Sequence, residues 1–190
     1  REQLRRYADL CAKDESCRRG TDDLTASVLS GYDRIPSHWW FLPIKKGNVR
    51  AATLFGLFNA TRDGGGALAA PLTVDTLRSI DQGDASGAWL LSVAAQLMFP
   101  RVQVAGDVAA KGAIDDAYAK RFFASGAGRE PAIGNETSSF IWSGGRLVDA
   151  WPDNPDDKLY NRVRDSNVET MLVGGALDFS TPPQIAAREL

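Results

Sequence analysis

The twelve residues Leu172-Val173-Gly174-Gly175-Ala176-Leu177-Asp178-Phe179-Ser180-Thr181-Pro182-Pro183 decide how this chain is read. Together with the preceding Val168-Glu169-Thr170-Met171 they place a short apolar run, Val168–Gly174, between polar and glycine signals. Such a run predicts a buried parallel strand. Gly174 and Gly175 permit a tight backbone path after it, and Thr181-Pro182-Pro183 opens a helix. Strand, loop and helix form the building unit of an α/β sheet. In open α/β sheets, functional groups stand just beyond the carboxyl ends of the strands, and Asp178 has that place. A carboxylate there accepts a hydrogen bond from a His ring nitrogen, fixes its tautomer and stabilises the imidazolium during acyl transfer. A plainer role is equally open to it, because Asp commonly caps a turn ahead of a helix.

Upstream, the pattern is helical. Glu2–Ala12 carries apolar residues at helical spacing, at Leu4, Tyr7, Ala8, Leu10 and Cys11. Thr21 predicts an N-cap for a helix through about Ser30, stopped by Gly31. Tyr32–Gly47 holds Ile35-Pro36 and His38-Trp39-Trp40-Phe41-Leu42-Pro43, an irregular and aromatic-rich segment. Helices are predicted over Val49–Thr61, Pro71–Gln82 and Ala85–Phe99, the last closed by Pro100. Short turns between them suggest a small bundle. Val102–Gly112 reads as a short extended piece, Ala113–Ser125 as a helix, and Thr137–Trp142 as a turn or helix. Gly64-Gly65-Gly66 lacks the Gly-Lys-Ser/Thr ending of a phosphate loop and reads as a hinge. The acidic loop Asp153–Asp157 reads as solvated surface.

The Asp178 segment resembles the triad-acid region of secreted actinobacterial α/β-hydrolases of the tripeptidyl aminopeptidase-like family, which are related to proline iminopeptidases. In them a strand leads into Gly-Gly/Thr-x-x-Asp-x-x-Thr-Pro. Gly174, Gly175, Asp178, Thr181 and Pro182 match that pattern. The upstream helices, with Cys11, Cys17 and Ile35-Pro36-x-x-Trp39, are similar to the cap such enzymes insert between sheet strands. The resemblance implies a mainly α chain: a helical cap over 1–150 and, over 151–190, one strand–loop–helix unit of the hydrolase core. It also implies Asp178 as the triad acid and a peptide or ester substrate, with peptides cut from the amino end and a carboxylesterase as the close neighbour.

The chain departs from the family in what it lacks. It contains no G-x-S-x-G nucleophile elbow. Its single histidine, His38, precedes Asp178, whereas the family order is Ser, Asp, His. His38 is therefore read as a packed or surface side chain. The chain opens on Arg1 without Met and ends within a helix-like stretch, so a longer parent is expected, with its Ser before Arg1 and its His after Leu190. A strand parted from its sheet leaves backbone N–H and C=O groups unpaired. Val168–Gly174 is accordingly expected to pair with another chain, to join a small local sheet or to be poorly ordered. The 190 residues alone are expected to be inactive.

Composition narrows the remaining classes. A formal net charge of -2 argues against a general nucleic-acid binder. No apolar run approaches the length of a membrane span. No metal or organic cofactor is implied. Cys11 and Cys17 have neither zinc-site nor thioredoxin spacing. They read either as two buried thiols or as a local disulfide, and the disulfide would point to an oxidising, secreted or cell-envelope setting. Trp39, Trp40 and Phe41, with Phe55 and Phe58, read either as lining a substrate entrance or as the core of the cap, and the core is the reading favoured. The reading from another class is a stand-alone helical binding module in which Asp178 is incidental.

Overall fold

The structure is a computed structural model that describes residues 2–59, 68–102, 104–114, 116–125, 133–142, 151–152 and 165–189. Among these the chain is mainly helical, with one two-stranded sheet. The predicted hinge at Gly64–Gly66 and the acidic loop Asp153–Asp157 lie outside the described residues. The chain divides into two compact units, Arg1–Gln96 with Met171–Leu190, and Leu97–Thr170.

The first unit starts with α1 (Glu2–Cys11), α2 (Glu15–Gly20) and α3 (Leu24–Asp33). Asp14 caps α2 by accepting from the Cys17 N–H at 2.8 Å. Asp23, not Thr21, caps α3, accepting from the Ala26 N–H at 2.9 Å. Thr21 instead accepts from the Asp23 N–H and meets the Ser27 hydroxyl. Gly31 does not end α3 as expected; it lies inside the helix, for a reason of packing.

The chain then forms a small antiparallel hairpin, β1 (His38–Trp39) and β2 (Leu42–Pro43), with Trp39 opposite Leu42. Helices α4 (Lys46–Leu57), α5 (Ala70–Asp81) and α6 (Ser86–Val102) follow. Pro71 stands in the first turn of α5, where its missing N–H costs nothing. Pro100 does not close α6, which continues to Val102. Arg101 there donates back to the Leu97 carbonyl.

α5 is the centre of this unit. Leu77, Val28, Val49 and Ala52 are fully buried. α3 and α5 approach so closely that a Cβ added to Gly31 would overlap the Leu77 carbonyl oxygen. One turn earlier along α5, a Cβ on Gly56 of α4 would overlap the Thr73 hydroxyl. Thr73 at this contact and the buried Thr53 of α4 satisfy their hydroxyls locally, Thr73 to the Ala69 carbonyl at 3.0 Å and Thr53 to the Val49 carbonyl at 2.8 Å. At the rim, Asp81 joins α5 to α3. Its carboxylate accepts from the Ser30 hydroxyl at 2.7 Å and from Arg34 at 2.5 Å. These donors hold Asp81 below its ordinary pKa, the Ser30 hydrogen bond most of all.

The second unit contains α7 (Ala105–Ile114), α8 (Asp116–Ala124) and α9 (Asn135–Trp142). The extended piece predicted over Val102–Gly112 is replaced by α7. The alanine-rich sequence favours a helix, and Asp107 pairs with Lys111 one turn on at 2.8 Å. α9 packs on α7 and α8.

The predicted strand Val168–Gly174 does not form. Its backbone has no ladder partner among the described residues. Its apolar side chains face solvent, with Met171 84% and Val173 83% exposed. The physical reason is the absence of a neighbouring strand: a lone strand gains neither ladder hydrogen bonds nor burial on its two faces. The loop and helix of the predicted unit are present, the helix being α10 (Pro183–Glu189).

The α3–α5 contact has a direct test. Gly31→Ala is expected to lower stability by about 1–3 kcal/mol, because the added methyl forces the helices apart. Gly47→Ala, with open space around the new methyl on α4, is expected to raise it by up to about 1 kcal/mol. Urea denaturation midpoints of the two variants should move in opposite directions.

Candidate functional site

Asp178 sits in the loop between the exposed run and α10. Its own N–H donates to the Gly175 carbonyl at 3.0 Å, which closes the glycine turn. Gly174 lies against Pro183, so the turn folds back on the start of α10. The carboxylate accepts four hydrogen bonds. Oδ1 takes the Ser180 N–H at 2.8 Å, the Ser180 hydroxyl at 2.7 Å and the Thr181 N–H at 3.1 Å. Oδ2 takes the Thr181 hydroxyl alone, at 2.6 Å. Four donors to the charged form hold the carboxyl well below its usual range, at about 2, with the Thr181 and Ser180 hydroxyls the main causes.

Within the chain this network caps the turn that leads into α10. Hydroxyl and amide donors of two consecutive residues converge on one carboxylate, which fixes the path from Phe179 to Pro182. The motif spacing, Asp-x-Ser-Thr-Pro, is legible as this cap. One lone pair of Oδ2 remains for a further donor.

The turn is docked on α1. Phe179 packs against Tyr7 with ring centroids 5.5 Å apart. Arg6 reaches the Ala176 carbonyl at 3.5 Å, and the side-chain amides of Gln3 and Gln184 meet at 3.3 Å. Tyr7 also lines a cavity of about 390 Å³, whose other walls include Leu10, Cys11, Cys17, Val74 and Arg78. Burial pushes the Tyr7 phenol above its ordinary pKa. Cys11 and Cys17 are disulfide-bonded, with Cα atoms 5.2 Å apart. Of the two readings of this pair, the disulfide is the one found. It staples the end of α1 to α2 beside the cavity.

The aromatic residues separate into two groups. Trp39 is half-buried and packs on Trp89 of α6 at 5.8 Å. Trp40 and Phe41 form the two-residue tip of the hairpin and are 83% and 81% exposed. The expectation that they belong to a core is therefore overturned, and Phe58 is likewise exposed. The cause is the hairpin itself, since tip residues point away from both strands. Trp40 has φ of 54°. For a side chain with a Cβ that conformation costs roughly 1–2 kcal/mol, and glycine usually takes the position. His38 is exposed, and its Nδ1 lies 3.0 Å from the Ser37 hydroxyl.

Among the described residues, no group of three or more His, Cys, Asp or Glu side chains has a metal-binding arrangement. No described helix is long and apolar enough to cross a membrane. No protein family matches the chain, and no curated protein or solved structure matches it either.

The Asp178 network predicts a narrow pH response. A carboxyl whose folded pKa lies below its unfolded value of about 3.9 stabilises the fold above that value, and the contribution is lost as pH falls toward about 2. Amide exchange at Ser180 and Thr181, corrected for the intrinsic pH dependence of exchange, is expected to accelerate between roughly pH 4 and pH 2. Asp178→Ala should show the faster exchange across that window with no inflection.

Proposed function

We propose that this chain is the cap and triad-acid region of a serine α/β-hydrolase, acting on peptides from their amino end through an acyl-enzyme. The observation that carries the reading is Asp178: an ionised carboxylate, held by its own loop, just after an apolar run that has no strand partner among the described residues. A triad acid needs those properties. It must stay charged at working pH, must not swing, and must keep an acceptor site for the imidazole N–H. Oδ1 is occupied by the loop, while Oδ2 retains a lone pair.

In this reading Val168–Gly174 takes its ladder partners from sheet strands outside these 190 residues, and its exposed apolar side chains are covered there. The serine attacks the carbonyl, the histidine takes its proton, and Asp178 orients the histidine and stabilises its charged form. The helices upstream of Asp178 belong to the cap in this reading, and Tyr7 of α1 both lines the cavity and packs on Phe179 of the Asp178 turn. Disulfides persist in oxidising compartments, so the Cys11–Cys17 bond supports a secreted or cell-envelope location.

A second reading, a helical interaction module without catalysis, is favoured by the exposed Trp40 and Phe41. The two are separated by the complete reading frame. Under the first it encodes a G-x-S-x-G before Arg1 and a His after Leu190; under the second it lacks both. In the encoded protein, Asp178→Asn is expected to lower kcat by about 10³–10⁴-fold on aminoacyl or peptidyl anilides, with folding retained by circular dichroism. Full activity in that variant would remove Asp178 from the site.

A further inference from the structure

The hairpin tip departs from local rules in a way that the hydrolase reading does not use. Two large aromatic side chains, Trp40 and Phe41, project into solvent, and one of them stands at a backbone conformation that glycine normally takes. Their support is packed and hydrogen-bonded. Ile35 and Ile44 are buried at the base of the hairpin. The Ile44 N–H donates to the Ser37 carbonyl at 2.8 Å, and the Lys45 N–H donates to the Ser92 hydroxyl of α6 at 2.9 Å. Trp39 stacks on Trp40 and meets Trp89 at a tilt, with ring centroids 5.8 Å apart in each pair. The tip is thus presented by a fixed platform.

The charge along this stretch of sequence is one-sided. From Arg34 through Arg50 the chain carries Arg34, Lys45, Lys46 and Arg50 and no acidic residue, within a protein of net charge -2. Arg34 is spent on Asp81, and Arg50 lies over the Tyr32 ring. Lys45 and Lys46 are exposed and make no ion pair among the described residues. Basic residues also stand at the start of a helix here, where the helix dipole disfavours them.

We propose that Trp40 and Phe41 insert into the interfacial layer of an anionic lipid bilayer, with Lys45 and Lys46 on the headgroups. Trp is at home at that depth, with an apolar body and a polar N–H, and exposed cations that follow the hairpin in the chain are drawn to an anionic surface. Size favours the bilayer over a protein partner. Two aromatic side chains offer roughly 150–250 Å² each, well under the about 800 Å² that a stable protein interface takes from each side. Shallow insertion needs no more than a tip. The contact is peripheral and stands independently of the catalytic reading.

The test is co-sedimentation of the protein with vesicles of phosphatidylcholine containing about one-third phosphatidylserine, against vesicles of phosphatidylcholine alone. Binding is expected to the anionic vesicles and to weaken as salt rises. Lys45→Gln with Lys46→Gln should weaken it by about thirtyfold. Trp40→Gly with Phe41→Ser should weaken it by at least about tenfold, and the variant should remain folded, since glycine suits the backbone at position 40. Equal binding to both vesicle types, undiminished binding by the folded tip variant, or no binding by the wild type would each overturn the proposal. So would tip-dependent self-association in sedimentation equilibrium without vesicle binding.

Discussion

The near-contact of α3 with α5 is the constraint from which the first unit is built. It exists because position 31 has no side chain. The missing Cβ lets the α3 backbone approach the Leu77 carbonyl, and the same device at Gly56 brings α4 down on Thr73. With α3 and α4 both close to α5, side chains along the three helices are excluded from water. Val28, Val49, Ala52 and Leu77 are fully buried as a result, each large one contributing roughly 1.5–3 kcal/mol. The Ser30–Asp81–Arg34 network then locks the rim of the same contact.

Two features are mounted on that bundle. The Asp178 turn lies against α1 through Tyr7 and Phe179, and its carboxylate is fixed by donors from its own loop. The aromatic hairpin is fixed to α6 through Ser92 and Trp89. Their polar logic differs. Asp178 is nearly saturated with donors, so its geometry is set before any partner arrives. The ammonium groups of Lys45 and Lys46 make no ion pair among the described residues, and the two aromatic rings at the hairpin tip are left in water. A satisfied carboxylate suits precise orientation of a neighbouring group, whereas unsatisfied cations and bare rings suit a surface that supplies the missing contacts.

Much of this was legible along the chain, and the misreadings have identifiable causes. Helical spacing located α1, α4, α5 and α6, because an apolar stripe of that period has one compact way to be buried. Gly31 has the sequence signature of a helix stop because glycine both ends helices and allows them to touch; only the facing Leu77 separates the two roles. The hairpin is not legible in the sequence because its strands are two residues long and its tip lacks the Asn-Gly or Gly of common tight turns. Its aromatic content suggested a core, when position at the tip put it outside. Val168–Gly174 has the composition of a buried strand, but a strand is a relation between neighbours and the chain offers it none.

What the sequence determined by itself were the local features: the periodic apolar stripes, the cysteine pair close enough to bond, and the Asp-x-Ser-Thr-Pro turn whose donors and acceptor are within three residues of each other. Those depend on interactions of short range, which the order of residues specifies directly. The tertiary structure alone decided which glycines are contact points, which aromatics are buried and which are displayed, and whether an apolar run becomes a strand. Each of these depends on what lies opposite a residue in space, and burial and ladder pairing are properties of two surfaces together.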